Sequence, residues 1–134
     1  MDLEVIKIAE NTTNYKHIKN HSHRYKHKNT ICGDEIEITL KISDRKIIDF
    51  GYQTKSCIYC QASASLLSRI SKNKKIYEVN KFLKIANDLF RDKHESTPKY
   101  WKSFNSIFKK DNFQRKDCLL LPLNALKKII NRYD

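Results

Sequence analysis

The stretch that decides the fold runs from residue 35 to residue 52 and reads EIEITLKISDRKIIDFGY. Its first half alternates strictly between apolar and polar residues, which is the pattern of a half-buried β-strand. The next three residues, Ser-Asp-Arg, are typical of a turn. The second half alternates again, with Ile48, Phe50 and Tyr52 expected on one face. Two alternating segments joined by a short turn predict an antiparallel hairpin.

Upstream of the hairpin, apolar residues recur at helical spacing and predict a short helix over residues 3–10. The stripe consists of Leu3, Ile6 and Ala9, widened by Val5 and Ile8. Residues 11–20 are expected to form a loop. Residues 21–28 fit either a disordered basic arm or an exposed strand, and we favour the strand.

Downstream of Thr54 the apolar period changes from two to that of a helix. We expect Ser56 to cap this helix, because serine is a favoured N-cap residue. A second helix is predicted over residues 79–90, and a short amphipathic helix over residues 101–108. The inward positions of these helices are Ala62, Leu66 and Ile70, then Phe82, Ile85, Leu89 and Phe90.

The chain ends in DCLLLPLNALKKIINRYD, which predicts a last amphipathic helix. Its apolar stripe is Leu119, Leu123, Leu126, Ile130 and Tyr133. Pro122 is expected near the start of this helix, since an interior proline costs about 3 kcal/mol. The order of elements predicts an α+β fold, a small antiparallel sheet with helices packed on one face.

Length and composition favour one domain over residues 1–134. The chain is 40% hydrophobic, contains two prolines, and has no apolar run long enough to span a membrane. Its N-terminus, MDLEVIKIAE, lacks the basic-then-apolar plan of a secretion signal, so we expect a cytoplasmic protein. Thiols stay reduced there, and four cysteines then indicate a metal site or catalysis more than disulfides.

Three of the cysteines fall at the ends of predicted elements. Cys32 precedes Gly33 and Asp34 just before the first clear strand, Cys57 lies in the first turn of a helix, and Cys118 opens the last helix. A helix N-terminus favours an anion, so we expect lowered pKa values for Cys57 and Cys118. Asp117 acts in the opposite direction, because an adjacent negative charge raises a thiol pKa.

Cys60 completes a C-x-x-C pair with Cys57. A zinc ribbon would need a second such pair or a histidine pair, and the chain contains neither. A thioredoxin-like site would need a βαβ context, whereas an antiparallel hairpin precedes this pair. A buried apolar role, a spare ligand and a resolving thiol all remain open for Cys60.

Residues 16–28 concentrate positive charge in a chain of net charge +12. Such a stretch could bind phosphate, so a nucleic-acid-binding module is a possible function, although a weak one. Lysine is abundant throughout the chain, however, so we favour a solvated surface. The histidines of this stretch are likewise interpreted as surface residues: His17, His21, His23 and His27.

Three separated motifs resemble the U-type iron–sulfur cluster assembly scaffolds, the IscU, SufU and NifU N-terminal family. They read NTICGDEIEITLKI, then IIDFGYQTKSCIYCQASASLLSRI, then RKDCLLLPLNALKKII, and they span residues 29–130. The long segment between Cys57 and Cys118 is similar to the SufU branch. Thr30 and Ser56 replace the usual proline and glycine, and Asp117 stands where the IscU branch has histidine. The chain also lacks the motif that the dedicated chaperone of that branch recognises.

The resemblance implies a three-stranded antiparallel sheet and a ligand set of Cys32, Asp34, Cys57 and Cys118. It also implies a scaffold that binds iron and a transient [2Fe-2S] cluster and passes it to apo-proteins. The alternative is a zinc-bound, SufU-like sulfur acceptor, with Cys118 taking sulfur from a cysteine desulfurase. Either way we expect a scaffold more than an enzyme, with a desulfurase and apo iron–sulfur proteins as partners, acting as a monomer or weak dimer.

Overall fold

The fold of the chain is seen in a computed structural model that describes residues 3–30, 33–86 and 99–133. Three strands form one antiparallel sheet in the order β1-β2-β3. The strands are β1 (His23–Lys28), β2 (Glu35–Ser43) and β3 (Lys46–Lys55), and the α-helices are α1 (Leu3–Ala9), α2 (Ile58–Ser71), α3 (Ile76–Ile85) and α4 (Lys116–Tyr133). Two 3₁₀ helices, Lys99–Ser106 and Lys110–Arg115, precede α4. The predicted α+β class with a three-stranded antiparallel sheet is confirmed.

The β2–β3 hairpin turns through Asp44 and Arg45, whose φ angles are 52° and 59°. Positive φ at both central residues defines a type I′ turn, whose twist matches that of the flanking strands. The turn sets a register in which Ile38 lies opposite Tyr52 and Leu40 opposite Phe50. All four side chains are buried, as the alternation predicts.

Ile48 corrects one part of the hairpin prediction. The register shifts between Lys41 and Ile42, because Lys41 pairs with Asp49 while Ile42 pairs with Ile47. Ile48 is the extra residue of this β-bulge and is 40% exposed, whereas Ile47 is fully buried. A bulge reverses the faces of the residues beyond it, so simple alternation placed the wrong isoleucine in the core.

The core forms where α2 and α4 pack on the sheet. Helix α4 contacts β1 and β2, and α2 contacts β3 and α4. The predicted stripe of α4 is buried at Leu119, Leu123, Leu126 and Ile130. In α1, Val5 and Ala9 are buried but Leu3 is 80% exposed, so the predicted stripe is wrong at that residue. None of the described helices combines the length and apolar character that crossing a bilayer requires.

The connection between α3 and α4 departs from the sequence prediction. The helix expected over residues 79–90 begins earlier, at Ile76, and its described part ends at Ile85. Residues 87–98 lie outside the described range, and with them the predicted inward positions Leu89 and Phe90. The expected helix over residues 101–108 is instead largely 3₁₀. Phe104 is buried there, with its ring centroid 4.9 Å from that of Phe82.

Pro122 lies inside α4 as its seventh residue, further from the start than expected. Proline has no N–H, so the carbonyl of Cys118 lacks its usual donor four residues ahead. Leu121, Pro122 and Leu123 are all buried, so the packing of α4 against the core offsets the missing hydrogen bond.

The bulge predicts that two adjacent isoleucines contribute very differently to the stability of the fold. Ile47→Ala should lower the free energy of unfolding by about 2–5 kcal/mol, since it empties a core position. Ile48→Ala should lower it by less than about 1 kcal/mol, since Ile48 is 40% exposed and its loss leaves no cavity in the core. Urea unfolding of both variants measures the contrast, and equal losses would contradict the bulged register.

Candidate metal centre

Three ligand-type side chains meet at one end of the sheet. One carboxylate oxygen of Asp34 and the Sγ atoms of Cys57 and Cys118 all lie within 4.8 Å of one another. Asp34 immediately precedes β2, and Cys57 lies between β3 and α2. The pairing of Glu35 with Lys55 places these two positions side by side. Cys118 joins them from the first turn of α4, which packs against α2.

Two backbone hydrogen bonds fix the position of the chain next to Asp34. The Gly33 N–H donates to the Asn29 carbonyl at 2.8 Å, and the Asn29 N–H donates to the Asp34 carbonyl at 2.7 Å. Gly33 has a φ of 80°, a left-handed conformation that favours glycine. The predicted ligand Cys32 lies outside the described residues, so its ligand role stays a prediction.

The Asp34 carboxylate contains an unsatisfied acceptor. Asp34 is half-buried as a residue, but its Oδ2 atom is covered and has no hydrogen-bond partner among the described residues. A buried oxygen without a partner is costly, so such atoms call for an explanation. A cation held beside the two sulfurs would supply the missing partner, and the donor set therefore fits a metal ion.

Cys57, rather than Ser56, is the N-cap residue of α2. Cys57 has extended backbone angles, φ −69° and ψ 167°, and its carbonyl accepts a 3.1 Å hydrogen bond from the Gln61 N–H. The Ser56 hydroxyl instead lies 2.8 Å from that of Thr54. The predicted Ser56 cap is therefore wrong by one residue. The Cys57 side chain makes no hydrogen bond to the helix that it caps. Its sulfur instead lies with the Asp34 oxygen and the Cys118 sulfur.

The thiol of Cys118 does not have the lowered pKa that its helix position predicts. Burial raises the pKa of Cys118, and the neighbouring Cys57 and the Asp34 carboxylate raise it further. Burial, together with these two neighbouring groups, outweighs the partial positive charge of the helix terminus. Asp117 is exposed, so the carboxylate that acts on Cys118 is Asp34 instead.

Cys60 is a core residue of α2. Its side chain is fully buried, and its Sγ lies 3.9 Å from the Thr54 hydroxyl. Burial raises the pKa of Cys60 to about 12, so the thiol stays protonated at neutral pH. Cys60 is not part of the Asp34, Cys57 and Cys118 group. Of the three roles left open by the sequence, this geometry favours the buried apolar one.

The basic stretch is partly neutralised by acidic residues of the sheet. Lys16 forms a 3.0 Å ion pair with Asp49, and Arg24 forms a 2.6 Å ion pair with Glu37. His17 lies 3.1 Å from the same Glu37 carboxylate. Within the described ranges, the grouping that could hold a metal ion contains no histidine. These contacts agree with the interpretation of residues 16–28 as surface.

Two residues that support the cysteine-bearing segments were not predicted from the sequence. The Gln61 side chain donates to the Ser56 carbonyl at 3.0 Å and holds the segment that carries Cys57. The Ser63 hydroxyl donates to the Leu119 carbonyl at 2.6 Å, next to Cys118. Both residues lie in the QASAS segment that follows the C-x-x-C pair. For Ser63, the available signal was a small polar residue at a buried helix position, whereas Gln61 is exposed and gave no such signal.

Comparison with known proteins places the chain in a family. The NifU-like N terminal domain family matches residues 2–134, and the chain belongs to it. An uncharacterized protein of Borreliella burgdorferi is 30% identical over 131 residues, which cover 97% of this chain and 89% of that protein. Iron-sulfur cluster assembly scaffold protein IscU 1 of Archaeoglobus fulgidus is 30% identical over 78% of this chain, which spans 58% of that relative's length.

Solved structures with low sequence identity share the fold. A NifU-like N-terminal protein from Brucella abortus matches with a TM-score of 0.86 and 17% identity, over 98% of this chain and 92% of that one. An iron-sulfur cluster assembly scaffold protein for the SUF system from Fervidobacterium islandicum matches with a TM-score of 0.84 and 21% identity, over 97% and 96% of the two chains. The sheet and helices described above are therefore the fold of this family.

The environments of the cysteines predict selective alkylation. Cys60 should resist iodoacetamide in the folded, metal-free chain, because its thiol is buried and protonated. Cys57, which is only half-buried, should react faster than Cys60. Mass spectrometry of peptides labelled with and without urea measures both rates. Equal labelling of Cys57 and Cys60 in the folded chain would refute the assignment of Cys60 to the core.

Proposed function

We propose that the chain is an iron–sulfur cluster assembly scaffold that binds iron and sulfide temporarily and passes them on as a [2Fe-2S] cluster. The observation that carries the proposal is the meeting of two sulfurs and one carboxylate oxygen within 4.8 Å. It is supported by membership of the NifU-like family and by relatives that are named IscU scaffolds. Cys32, two residues before Asp34, is proposed as the remaining ligand.

The mixed donor set suits temporary binding. Thiolates are soft ligands that favour iron–sulfur clusters and zinc, whereas a carboxylate is a harder ligand. The Asp34 oxygen should therefore exchange more readily than a fourth thiolate would. Cys57 and Cys118 are half-buried residues at element ends, where a donor or an acceptor protein can approach.

Sulfur delivery would use Cys118. Because the raised pKa of Cys118 keeps its thiol protonated in the metal-free chain, a bound metal ion would first have to displace that proton. The resulting thiolate would attack the outer sulfur of a persulfide on a cysteine desulfurase, and the thiolate of that enzyme would leave. The product is a persulfide on Cys118, close to Cys57 and Asp34. Turning its outer sulfur into the sulfide of a cluster would take two electrons, which an external electron-donor protein would have to supply. In this proposal the desulfurase supplies sulfur, apo iron–sulfur proteins take the cluster, and the chain itself has no catalytic turnover.

The compactness of the group supports a second candidate, a zinc-loaded sulfur acceptor. Tetrahedral zinc with Zn–S bonds of about 2.3 Å requires ligand atoms about 3.8 Å apart. Ligand atoms within 4.8 Å of one another come near this single-ion geometry. In this candidate the same residues would hold Zn²⁺, which would keep their thiols deprotonated, and Cys118 would be the thiolate that accepts the incoming sulfur. The purified protein would then be colourless.

Anaerobic purification followed by iron, zinc and acid-labile sulfide analysis tests these proposals. Iron with sulfide supports the cluster scaffold, and zinc without sulfide supports the sulfur acceptor. We expect Cys32→Ala, Cys57→Ala, Cys118→Ala and Asp34→Ala each to lower bound metal at least about tenfold, because each removes a ligand.

Cys60→Ala is the matched control, because it removes a thiol from the same C-x-x-C pair outside the ligand group. This variant should keep most of the bound metal. Full metal content in all four ligand variants would rule out the assigned site.

Metal affinity should rise with pH. The raised pKa of Cys118 means that this thiol holds its proton at neutral pH in the metal-free chain, and the metal must displace it. Apparent Zn²⁺ affinity should increase by up to about tenfold per pH unit for this one proton between about pH 6 and about pH 8. Chelator competition measures the slope. An unchanged slope in Cys118→Ser would show that this proton is not involved.

A further inference from the structure

One hydrogen bond joins the two helices that present the thiols. The hydroxyl of Ser63, a fully buried residue of α2, donates to the carbonyl of Leu119 in α4 at 2.6 Å. Leu119 directly follows Cys118, and Ser63 lies about 9 Å along α2 from Cys57, at about 1.5 Å per residue. The bond therefore connects the backbone beside one sulfur to the helix that begins at the other.

The first turn of α4 needs such a connection because of Pro122. The carbonyl of Cys118 would normally accept from the N–H of residue 122, and proline has none. The proline ring also crowds the carbonyl four residues before it. The turn that carries Cys118 is therefore less firmly attached to its own helix than an ordinary first turn.

The other buried serines of α2 make different contacts. Ser65 donates to the Asn11 carbonyl at 2.6 Å, and Ser68 donates to the Ser65 carbonyl at 2.8 Å. The hydroxyl of Ser71 has no hydrogen-bond partner within the described part of the chain. Small size alone would serve helix packing equally well at each position, so the bond to α4 distinguishes Ser63.

We propose that Ser63 is a positioning residue of the metal centre. By holding the Leu119 carbonyl, it sets the distance of the Cys118 sulfur from Cys57 and Asp34 where Pro122 has weakened the helix. The inference rests on the proposed function, because it concerns the same site. The inference predicts that the hydroxyl group at position 63, rather than the size of the side chain, controls the metal–sulfur bonds.

A matched pair of variants isolates the hydroxyl. Threonine and valine have nearly the same shape, so Ser63→Thr and Ser63→Val introduce similar strain and differ in the donor. Co²⁺ is the probe, because thiolate ligands give it a charge-transfer absorption band. We expect Ser63→Thr to retain the wild-type band, and Ser63→Val to show a weaker or shifted band and about tenfold lower Co²⁺ affinity. Equal bands and affinities in the two variants would overturn the inference.

A double-mutant cycle tests the link to the proline. Pro122→Ala restores the N–H that can bond the Cys118 carbonyl, so it should recover part of the affinity lost in Ser63→Val. In a chain that keeps Ser63, the same change should have a smaller effect. Strict additivity of the two changes would contradict a shared role in holding this turn.

Two further variants control for folding. Ser71→Ala removes a buried hydroxyl that no described residue bonds, and Ser65→Ala removes one bonded away from α4, so both should keep the wild-type Co²⁺ band. If circular dichroism shows that Ser63→Val does not fold, the Co²⁺ affinity of Ser63→Ala is compared with that of Ser71→Ala instead. Equal affinities in these two variants would overturn the inference. A wild-type chain without any thiolate band would refute the proposed site and this inference together.

Discussion

The antiparallel pairing of β2 with β3 is the constraint on which the rest of the structure depends. The I′ turn at Asp44 and Arg45 sets the register, and the far ends of the two strands consequently lie side by side. Asp34 enters one strand and Cys57 leaves the other, so these two residues meet although they are distant in sequence. The same pairing buries the face on which α2 and α4 pack, and α4 then adds Cys118.

The site concentrates groups that a folded protein ordinarily avoids placing together. Asp34 has a covered oxygen that finds no partner within the described ranges, and burial together with Cys57 and Asp34 raises the pKa of Cys118. Uncompensated negative charge in a partly dry site is destabilising until a cation neutralises it. Holding these groups together therefore lowers the stability of the metal-free fold, and metal binding can offset that loss. The hydroxyl of Ser63 fits this picture as a neutral support outside the charged group.

Local patterns predicted the features that depend on local physics. The alternation in β2 and the apolar stripe of α4 from Leu119 to Ile130 were correct, because burial of one face imposes a period of two on strands and 3.6 on helices. The burial of Tyr133, the last predicted position of that stripe, lies outside what the structure describes. The bulge at Ile48 and the shift of the helix cap from Ser56 to Cys57 were missed. Both depend on how a neighbouring strand or side chain competes for the same backbone, which no short window of sequence contains. The pKa of Cys118 was wrong for a related reason, since Asp34 acts on it across the site.

The sequence by itself determined the class of fold, the spacing of the cysteine and aspartate motifs, and their location at element ends. It did so because periodicity, turn residues and motif order are properties of the chain before it folds. Tertiary structure decided that ligand atoms of Asp34, Cys57 and Cys118 lie within 4.8 Å of one another, that Cys60 belongs to the core, and that Ser63 reaches Leu119. These outcomes depend on distances between segments far apart in the chain, and packing of the sheet against α2 and α4 is what sets those distances.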